Sequence, residues 1–561
     1  MFIRTKTTPN SPRKSVQIVE SVRASDGKVK QRIVRHVGIA MDDDEHARLI
    51  ELATHIKTKI EVEQTPSLFS VETLVEMAQS ARKKKDLSNA PLPVDLKLLR
   101  EEQRSIIGIH DVYGEIYDLL GFSELFPLPK RNEGWSQLLK HIVMARIANP
   151  VSKRASVTML ENNFGVELDL DRVYKMMDKI NDPMIQRIQD KAYANARQIF
   201  GDKINVLFYD CTTLYFESFI EDKLKQYGYS KDFKFNQSQV LLALLVTPHG
   251  LPVGYEVFPG ASFEGHTLVP ILKKMRERYQ LEQVIFVADR GLFSEENLKF
   301  LEEEDFQYIV GARLKNTSKG LKEKILDGNN YQLSGNEKHG RFASFEQKDG
   351  RRLIVNYTAK RAEKDRRDRE KSIEKLLSRL QKNKNPKDLI SNFGYKKYLQ
   401  VDGDAIASIN EQKIEEAVRW DGLLGVVTNK TDMSAEEVLT HYHTLWQIEE
   451  SFRINKHDLK MRPIFHWVPP RVKAHLAIAF IAFTCVRHLE YRVALQYQKM
   501  SPEAIRKELL NTQLSFLKHQ KTKTRYCVPS KISQDAKKIY QVVGKKFSTV
   551  PFKLEMERGS Q

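Results

Sequence analysis

Apolar and polar positions change period several times along the chain, and each change predicts an element. Val16 to Val22 and Val29 to Val37 alternate around Ser25-Asp26-Gly27, the pattern of a β-hairpin. Asp42, Asp43 and Asp44 then open a helical pattern (Ala47, Leu49, Ile50, Leu52, Ala53), where carboxylates suit the positive end of the helix dipole. Arg82 to Asp95, with its lysine run and two prolines, reads as a linker. From about Ser105 to Phe200 the period is helical. Leu138, Leu139, Ile142, Val143, Ala145 and Ile147 lead to a break at Asn149-Pro150, Ser152 stands where it would cap a helix ending near Gly165, and Leu168 to Ile180 forms another.

The texture then turns strand-like. Asn205 to Tyr209 is an apolar strand running into Asp210, and Val240 to Val246 and Leu251 to Phe258 flank the turn Thr247-Pro248-His249-Gly250. Thr267 to Tyr279 is helical, Val284 to Ala288 is a strand ending in Asp289, Glu295 to Glu304 is helical, and Gln307 to Gly311 is a further strand. Strands and helices in this order predict a mixed α/β sheet. Residues 313–417 interrupt it with turn-rich β pieces and a long basic helix, Ala359 to Leu380. Leu423 to Thr428 resumes the strand character, and a helix is expected from Ala435 to about His457. These shifts divide the chain into a basic N-terminal region (1–85), a helical domain (86–200), a core in two parts (201–312 and 418–500), an insertion (313–417) and a basic helical tail (501–561).

Composition narrows the class. At 561 residues the chain exceeds what one hydrophobic core supports, which excludes a single small binding module. Its longest apolar run, Leu476 to Val486, falls short of the roughly 20 residues that cross a bilayer and reads as a buried helix, so no membrane is expected as a partner. No apolar leader follows Met1, and the cysteines Cys211, Cys485 and Cys527 stand far apart, as expected of a cytoplasmic chain without disulfides.

The formal charge of +18 is unevenly spread. Residues 1–40 carry nine Lys/Arg against two acids, 360–384 carry eleven against five, and 501–561 carry thirteen against five, whereas 201–312 carry eleven against seventeen. A basic frame around an acidic module suits an enzyme that grips phosphates with one part and holds cations with another.

Asp210 and Asp289 sit at the downstream ends of apolar strands, where ligand sites of α/β sheets gather. Val438, Tyr442, Leu445, Glu449, Phe452 and Lys456 alternate at spacings of four and three, so one continuous helix would put Glu449 in the middle of an otherwise buried face. A buried carboxylate needs a partner. Two readings are open: an internal ion pair with Lys456 or Arg453, or a metal site completed by Asp210 and Asp289. Oxygen donors of this kind suit Mg²⁺ or Mn²⁺, and two such ions about 4 Å apart would support in-line phosphoryl transfer. Neither a P-loop nor an H-E-x-x-H motif is present.

At these residues the sequence resembles bacterial insertion-sequence DDE transposases of the insertion-sequence-four family or its close relatives. Tyr209-Asp210-Cys211-Thr212-Thr213 resembles the family's D-x-T segment, Ala288-Asp289-Arg290-Gly291 its second aspartate segment, and Tyr442, Glu449 and Lys456 its Y-(2)-R-(3)-E-(6)-K signature, with Leu445 where that pattern has arginine. The resemblance implies an RNase H-like core with a β-rich insertion and catalytic metal ligands at Asp210, Asp289 and Glu449. It further implies a homodimer that recognises terminal inverted repeats and cleaves and transfers DNA strands in the bacterial cytoplasm, associated with the nucleoid. Tyr442, Arg453, Lys456 and Arg290 are then candidate DNA contacts, and Trp420 a candidate stacking residue; each also has an ordinary packing or ion-pair role open to it. A non-catalytic DNA-binding descendant and a metal-dependent nuclease are the alternative functions.

Overall fold

A computed structural model describes residues 1–7, 13–23, 29–64, 94–200, 204–217, 220–228, 236–263, 266–279, 284–289, 294–347, 349–382, 397–402 and 406–554. The N-terminal alternation builds three strands rather than a hairpin. β1 (Phe2–Thr7) pairs with β2 (Lys14–Arg23), which pairs with β3 (Val29–Ala40), all antiparallel. β1 escapes a sequence reading because only Phe2 and Ile3 in it are large and apolar. Val16 and Ile18 of β2 are buried with Ala53 of α1 (Asp43–Gln64), so the sheet and its helix share a small core of their own. The segment read as a linker lies outside the described residues up to its last two.

After β4 (Leu99–Ile106) come α2 (Gly108–Leu119), α3 (Pro129–Ala148), α4 (Lys153–Phe164), α5 (Leu170–Asp178) and α6 (Asp182–Ile199). The Ser152 hydroxyl accepts the Ala155 amide at 3.3 Å, and Gly165, at φ +67°, closes α4 in the left-handed region that glycine adopts without strain. The central elements follow: β5 (Val206–Tyr215), β6 (Gln239–Val246), β7 (Pro252–Pro259), α7 (Leu268–Tyr279), β8 (Ile285–Ala288), α8 (Glu295–Glu303) and β9 (Gln307–Gly311). β5, β6 and β7 are antiparallel neighbours, while β5 runs parallel to β8 and β8 to β9. The spatial order β7-β6-β5-β8-β9, with the first strand in the middle and two parallel strands beyond it, is the RNase H-like arrangement.

The segment 313–417 is not separate from this sheet. It contains α9 (Lys319–Leu326), β10 (Gln332–Leu333), β11 (Arg341–Glu346), β12 (Arg352–Tyr357), the long α10 (Ala359–Lys382), β13 (Leu399–Asp402), β14 (Ile406–Ile409) and α11 (Glu411–Val418). β12 pairs with β15 (Leu423–Thr428), and β15 with β9, so β10 to β12 extend the central sheet to nine strands.

Next come α12 (Ala435–His443), α13 (Trp446–Arg453) and α14 (Pro469–Gln496). Among the described residues α14 is the one helix long and apolar enough to cross a membrane, yet 94% of its apolar stretch is buried inside the protein. It packs against α2, α3, α5 and α6. The C-terminal part, expected to be helical, holds α15 (Pro502–Leu510) and α16 (Gln534–Val542) but also β16 (Gln513–His519), β17 (Arg525–Pro529) and β18 (Phe552–Lys553). These strands form a sheet with β4 at its edge, so their hydrogen-bond partner lies some four hundred residues earlier in the chain.

Two cores lie on opposite faces of the central sheet, and strand alternation sorts side chains between them. Val206, Phe208, Leu242, Leu244, Ile285 and Val287 face the large core that includes α14, whereas Leu207, Tyr209, Leu241, Ala243, Phe286 and Ala288 face a second core with α7 and α8.

Candidate functional site

The strand register brings the two aspartates together. Tyr209 is paired with Ala288 across parallel β5 and β8; Asp210 is the next residue of β5, and Asp289 directly follows the last residue of β8. Both have the parity of Val206, Phe208, Ile285 and Val287, so both belong to the face of the large core. That face carries α13, which packs over β5 and β6 with Leu445, Ile448 and Phe452 buried. Glu449 is on this helix, adjacent to buried Ile448.

Glu449 is exposed, contrary to the expectation of a buried position in a continuous stripe. The helix from Ala435 breaks at Thr444. There the Leu445, Gln447 and Ile448 amides donate to the carbonyls of Tyr442, Thr444 and Leu445, all three residues back. Such turns advance each residue by about 120° instead of 100° and rotate everything downstream. Val438, Leu445 and Phe452 stay buried, while Glu449 swings to the solvent edge. A π-helical turn, Ile454–Asp458, follows, with Lys456 half-buried in it.

The ion pair considered for Glu449 does not form with Arg453. That guanidinium is held by Glu450 at 2.7 Å and by Asp458 at 3.5 Å, and the pairing drops the Glu450 carboxyl below its ordinary pKa. Asp210 is half-buried, its Oδ1 accepting the Cys211 amide at 2.7 Å, and Asp289 is exposed. On the opposite face the Tyr209 hydroxyl meets Thr267 Oγ1 at 2.6 Å, anchoring the strand beneath Asp210. Thr212 shares Asp210's parity, and its buried hydroxyl has no hydrogen-bond partner among the described residues.

The donor set of three carboxylates and a hydroxyl matches the hard oxygen chemistry of Mg²⁺ or Mn²⁺. The backbone supplies the neighbourhood, but the side chains are not gathered. Among the described residues no three His, Cys, Asp or Glu stand together as a ready ion-holding group.

Of the candidate DNA contacts, Tyr442 is half-buried and packed on the large core. Trp420 is half-buried against the small core of Leu314, Ile325, Leu353 and Val355, with Lys315 Nζ 5.9 Å from its ring. Arg290 lies outside the described residues. A sequence reading passes over Arg487, which is buried on α14 and joins the Glu449 helix to the β6–β7 turn: it donates to Gln447 Oε1 at 3.0 Å and to the Gly250 carbonyl at 2.9 Å. Its pairing with Glu490 is local, but Gln447 and Gly250 are distant in sequence, so nothing local marks the junction.

Asp210 within β5 and Asp289 just after β8 thus stand on adjacent parallel strands of an RNase H-like α/β sheet, under a helix that presents a glutamate. The chain belongs to the DDE transposase family: the model described as "Transposase DDE domain" matches residues 201–485. The "IS1634 family transposase, N-terminal domain" model matches residues 3–66, the three-stranded sheet and α1. No curated protein matches the chain. Similar solved structures include a piggyBac transposase synaptic complex with hairpin DNA (9% identity, 72% of this chain and 79% of that one, TM-score 0.36). A Mos1 transposase paired-end complex with the left transposon end is also similar (12% identity, 48% and 77%, TM-score 0.14).

Proposed function

We propose that this protein binds the terminal inverted repeats of an insertion sequence as a homodimer in the bacterial cytoplasm and catalyses metal-dependent cleavage and transfer of its DNA strands. The observation that carries this reading is the register of β5 and β8, which makes Asp210 and Asp289 neighbours on the face that α13 covers. Asp210, Asp289 and Glu449 are assigned as the ligands of one or two Mg²⁺ or Mn²⁺ ions. A divalent ion held there would activate a water or a 3′-hydroxyl and offset charge on the reacting phosphate. The chain's own part is to position these groups. Asp210 lies within β5 and Asp289 just after β8, whereas Glu449 is exposed next to buried Ile448 and would have to turn inward to join them. Three carboxylates repel one another when they converge, so a gathered arrangement needs cationic charge between them.

The test is a supercoiled plasmid carrying the element's two ends, incubated with Mg²⁺. Cleavage at the ends is expected from the native protein and should vanish in Asp210→Ala, Asp289→Ala and Glu449→Ala; cutting by any one of them removes that residue from the assignment. A non-catalytic DNA-binding role is favoured by one observation, the ungathered carboxylates. It requires binding that EDTA leaves intact and no cleavage by the native protein.

A further inference from the structure

Four cationic or titratable side chains converge behind α4, and among the described residues no carboxylate pairs with any of them. Lys153, in the first turn of α4, is only 4% exposed, and it has no hydrogen bond or ion pair among the described residues. Arg146, 6% exposed near the end of α3, donates to the Leu459 and Lys460 carbonyls at 3.3 Å, and its Nη2 lies 3.4 Å from His475 Nδ1. His475 Nε2 is 3.3 Å from the Met461 carbonyl, and the His466 ring lies 5.3 Å from that of His475. Arg471, a further cation acting on His466, is already taken by Asp178 at 2.7 Å. Burial and Arg146 together depress the Lys153 ammonium well below its ordinary pKa, and burial with Lys153 and Arg146 takes His466 down to about 3.

Burying an ammonium without a counter-charge is costly. The first turn of a helix makes it worse, because the dipole there is also positive. The same features favour an anion: the helix N-terminus carries positive dipole charge, although its Ala155 amide is taken by Ser152, and a buried lysine supplies charge that no carboxylate has claimed. The chain around the cluster is exposed and aromatic. Phe465 and Trp467 flank His466 in sequence and are 55% and 60% exposed. Lys225 Nζ, itself buried and paired with Asp222 at 3.3 Å, stands 5.9 Å from the Trp467 ring. Exposed rings that border a buried, acid-free cation suit a polynucleotide, whose bases stack, better than a small free anion. The cluster is also tied to the elements that carry the acids. Arg146 holds the carbonyls just after the π turn that follows α13, and the Ile464 amide donates to the Tyr215 carbonyl at the end of β5.

We propose that Lys153, backed by Arg146 and His466 and bordered by Phe465 and Trp467, is a subsite for a backbone phosphate of bound DNA, separate from the three carboxylates. The proposal rests on DNA being this chain's partner, and the test keeps the two apart. The full chain and its Lys153→Met, Lys153→Arg and Trp467→Ala variants are melted with inorganic phosphate at constant ionic strength, and their affinity for an element-end duplex is titrated with salt. Phosphate should raise the melting temperature of the native and Lys153→Arg proteins but not of Lys153→Met. The slope of log affinity against log salt should fall by about 0.9 in Lys153→Met, the loss of one phosphate contact. Trp467→Ala should weaken duplex binding and leave the phosphate response intact. If Lys153→Met keeps both the phosphate response and the slope, the proposal is overturned. A lost phosphate response with an unchanged slope also overturns it, because the subsite then takes free phosphate rather than DNA. If the native protein binds no duplex, the reading of DNA as partner fails, and the phosphate melts still decide whether Lys153 binds an anion.

Discussion

Arg487 on α14 donates from Nη2 to Gln447 Oε1 at 3.0 Å, two residues before Glu449, and the same guanidinium holds the His249 and Gly250 carbonyls at the β6–β7 turn. It also pairs with Glu490, and both side chains are more than nine-tenths buried. One arginine therefore ties the glutamate's helix to the sheet.

Arg487→Met is expected to leave Glu490 buried and uncompensated, with a loss of about 3–5 kcal/mol in a urea or thermal unfolding experiment. Arg487→Lys keeps a charge but cannot span Gln447 and the two carbonyls, so it should lose cleavage activity more than it loses stability. Gly250 gives an independent check. It sits at φ +75°, and a β-carbon there would fall 1.8 Å from Arg487 Nη2. Gly250→Ala should thus disturb the same junction by displacing the Arg487 guanidinium, with residue 487 itself unchanged.

Glu449→Gln should abolish metal-dependent cleavage, by at least about a hundredfold. Because Glu449 is exposed, its unfolding free energy should change by no more than about 0.5 kcal/mol. A large loss of stability would show that the carboxylate serves the fold instead.

Stability should fall on mild acidification. Burial lowers His110, His466 and His488 to about 3 and His443 to about 4. A histidine with its folded pKa depressed binds more protons when unfolded, so its contribution is complete above about pH 6.5 and is lost as pH drops toward 3 to 4. His488 is the clearest case, fully buried with neither ring nitrogen hydrogen-bonded among the described residues. His488→Leu should flatten part of the decline in melting temperature between pH 6.5 and 4 without lowering stability at pH 7.5.

Removing residues 1–64 should leave the remaining fold intact, since β1 to β3 and α1 bury a core of their own around Val16, Ile18 and Ala53. The truncated protein should bind duplex DNA more weakly and with a shallower salt dependence, because nine Lys/Arg of the first forty residues go with it. Unchanged salt dependence in a filter-binding or anisotropy titration would place the DNA contacts elsewhere.

Local pattern reached a long way in this chain. The strands Val206–Tyr215, Gln239–Val246, Pro252–Pro259, Ile285–Ala288 and Gln307–Gly311 were legible as apolar runs between turn signals, and the Ser152 cap and the Gly250 turn were legible because single residues dictate them. Asp289 could be placed at a strand end for the same reason, whereas Asp210, expected at one, lies in the middle of β5, which runs on to Tyr215. Glu449 could not be placed correctly, because three tight hydrogen bonds around Thr444 rotate the helix face, and no residue in that turn announces it.

The order of side chains alone therefore determined most of the central strands and helices, Asp289 at its strand end and the uneven spread of charge, since each depends on interactions within a few residues or on simple charge. Tertiary structure decided the rest: that Asp210 and Asp289 are neighbours, that β10 to β12 complete the central sheet, that the C-terminal strands close on β4, and that Lys153 and Arg146 are buried together. Each of these depends on pairings between segments tens to hundreds of residues apart. Such pairings are selected by the whole core and leave no local periodicity to read.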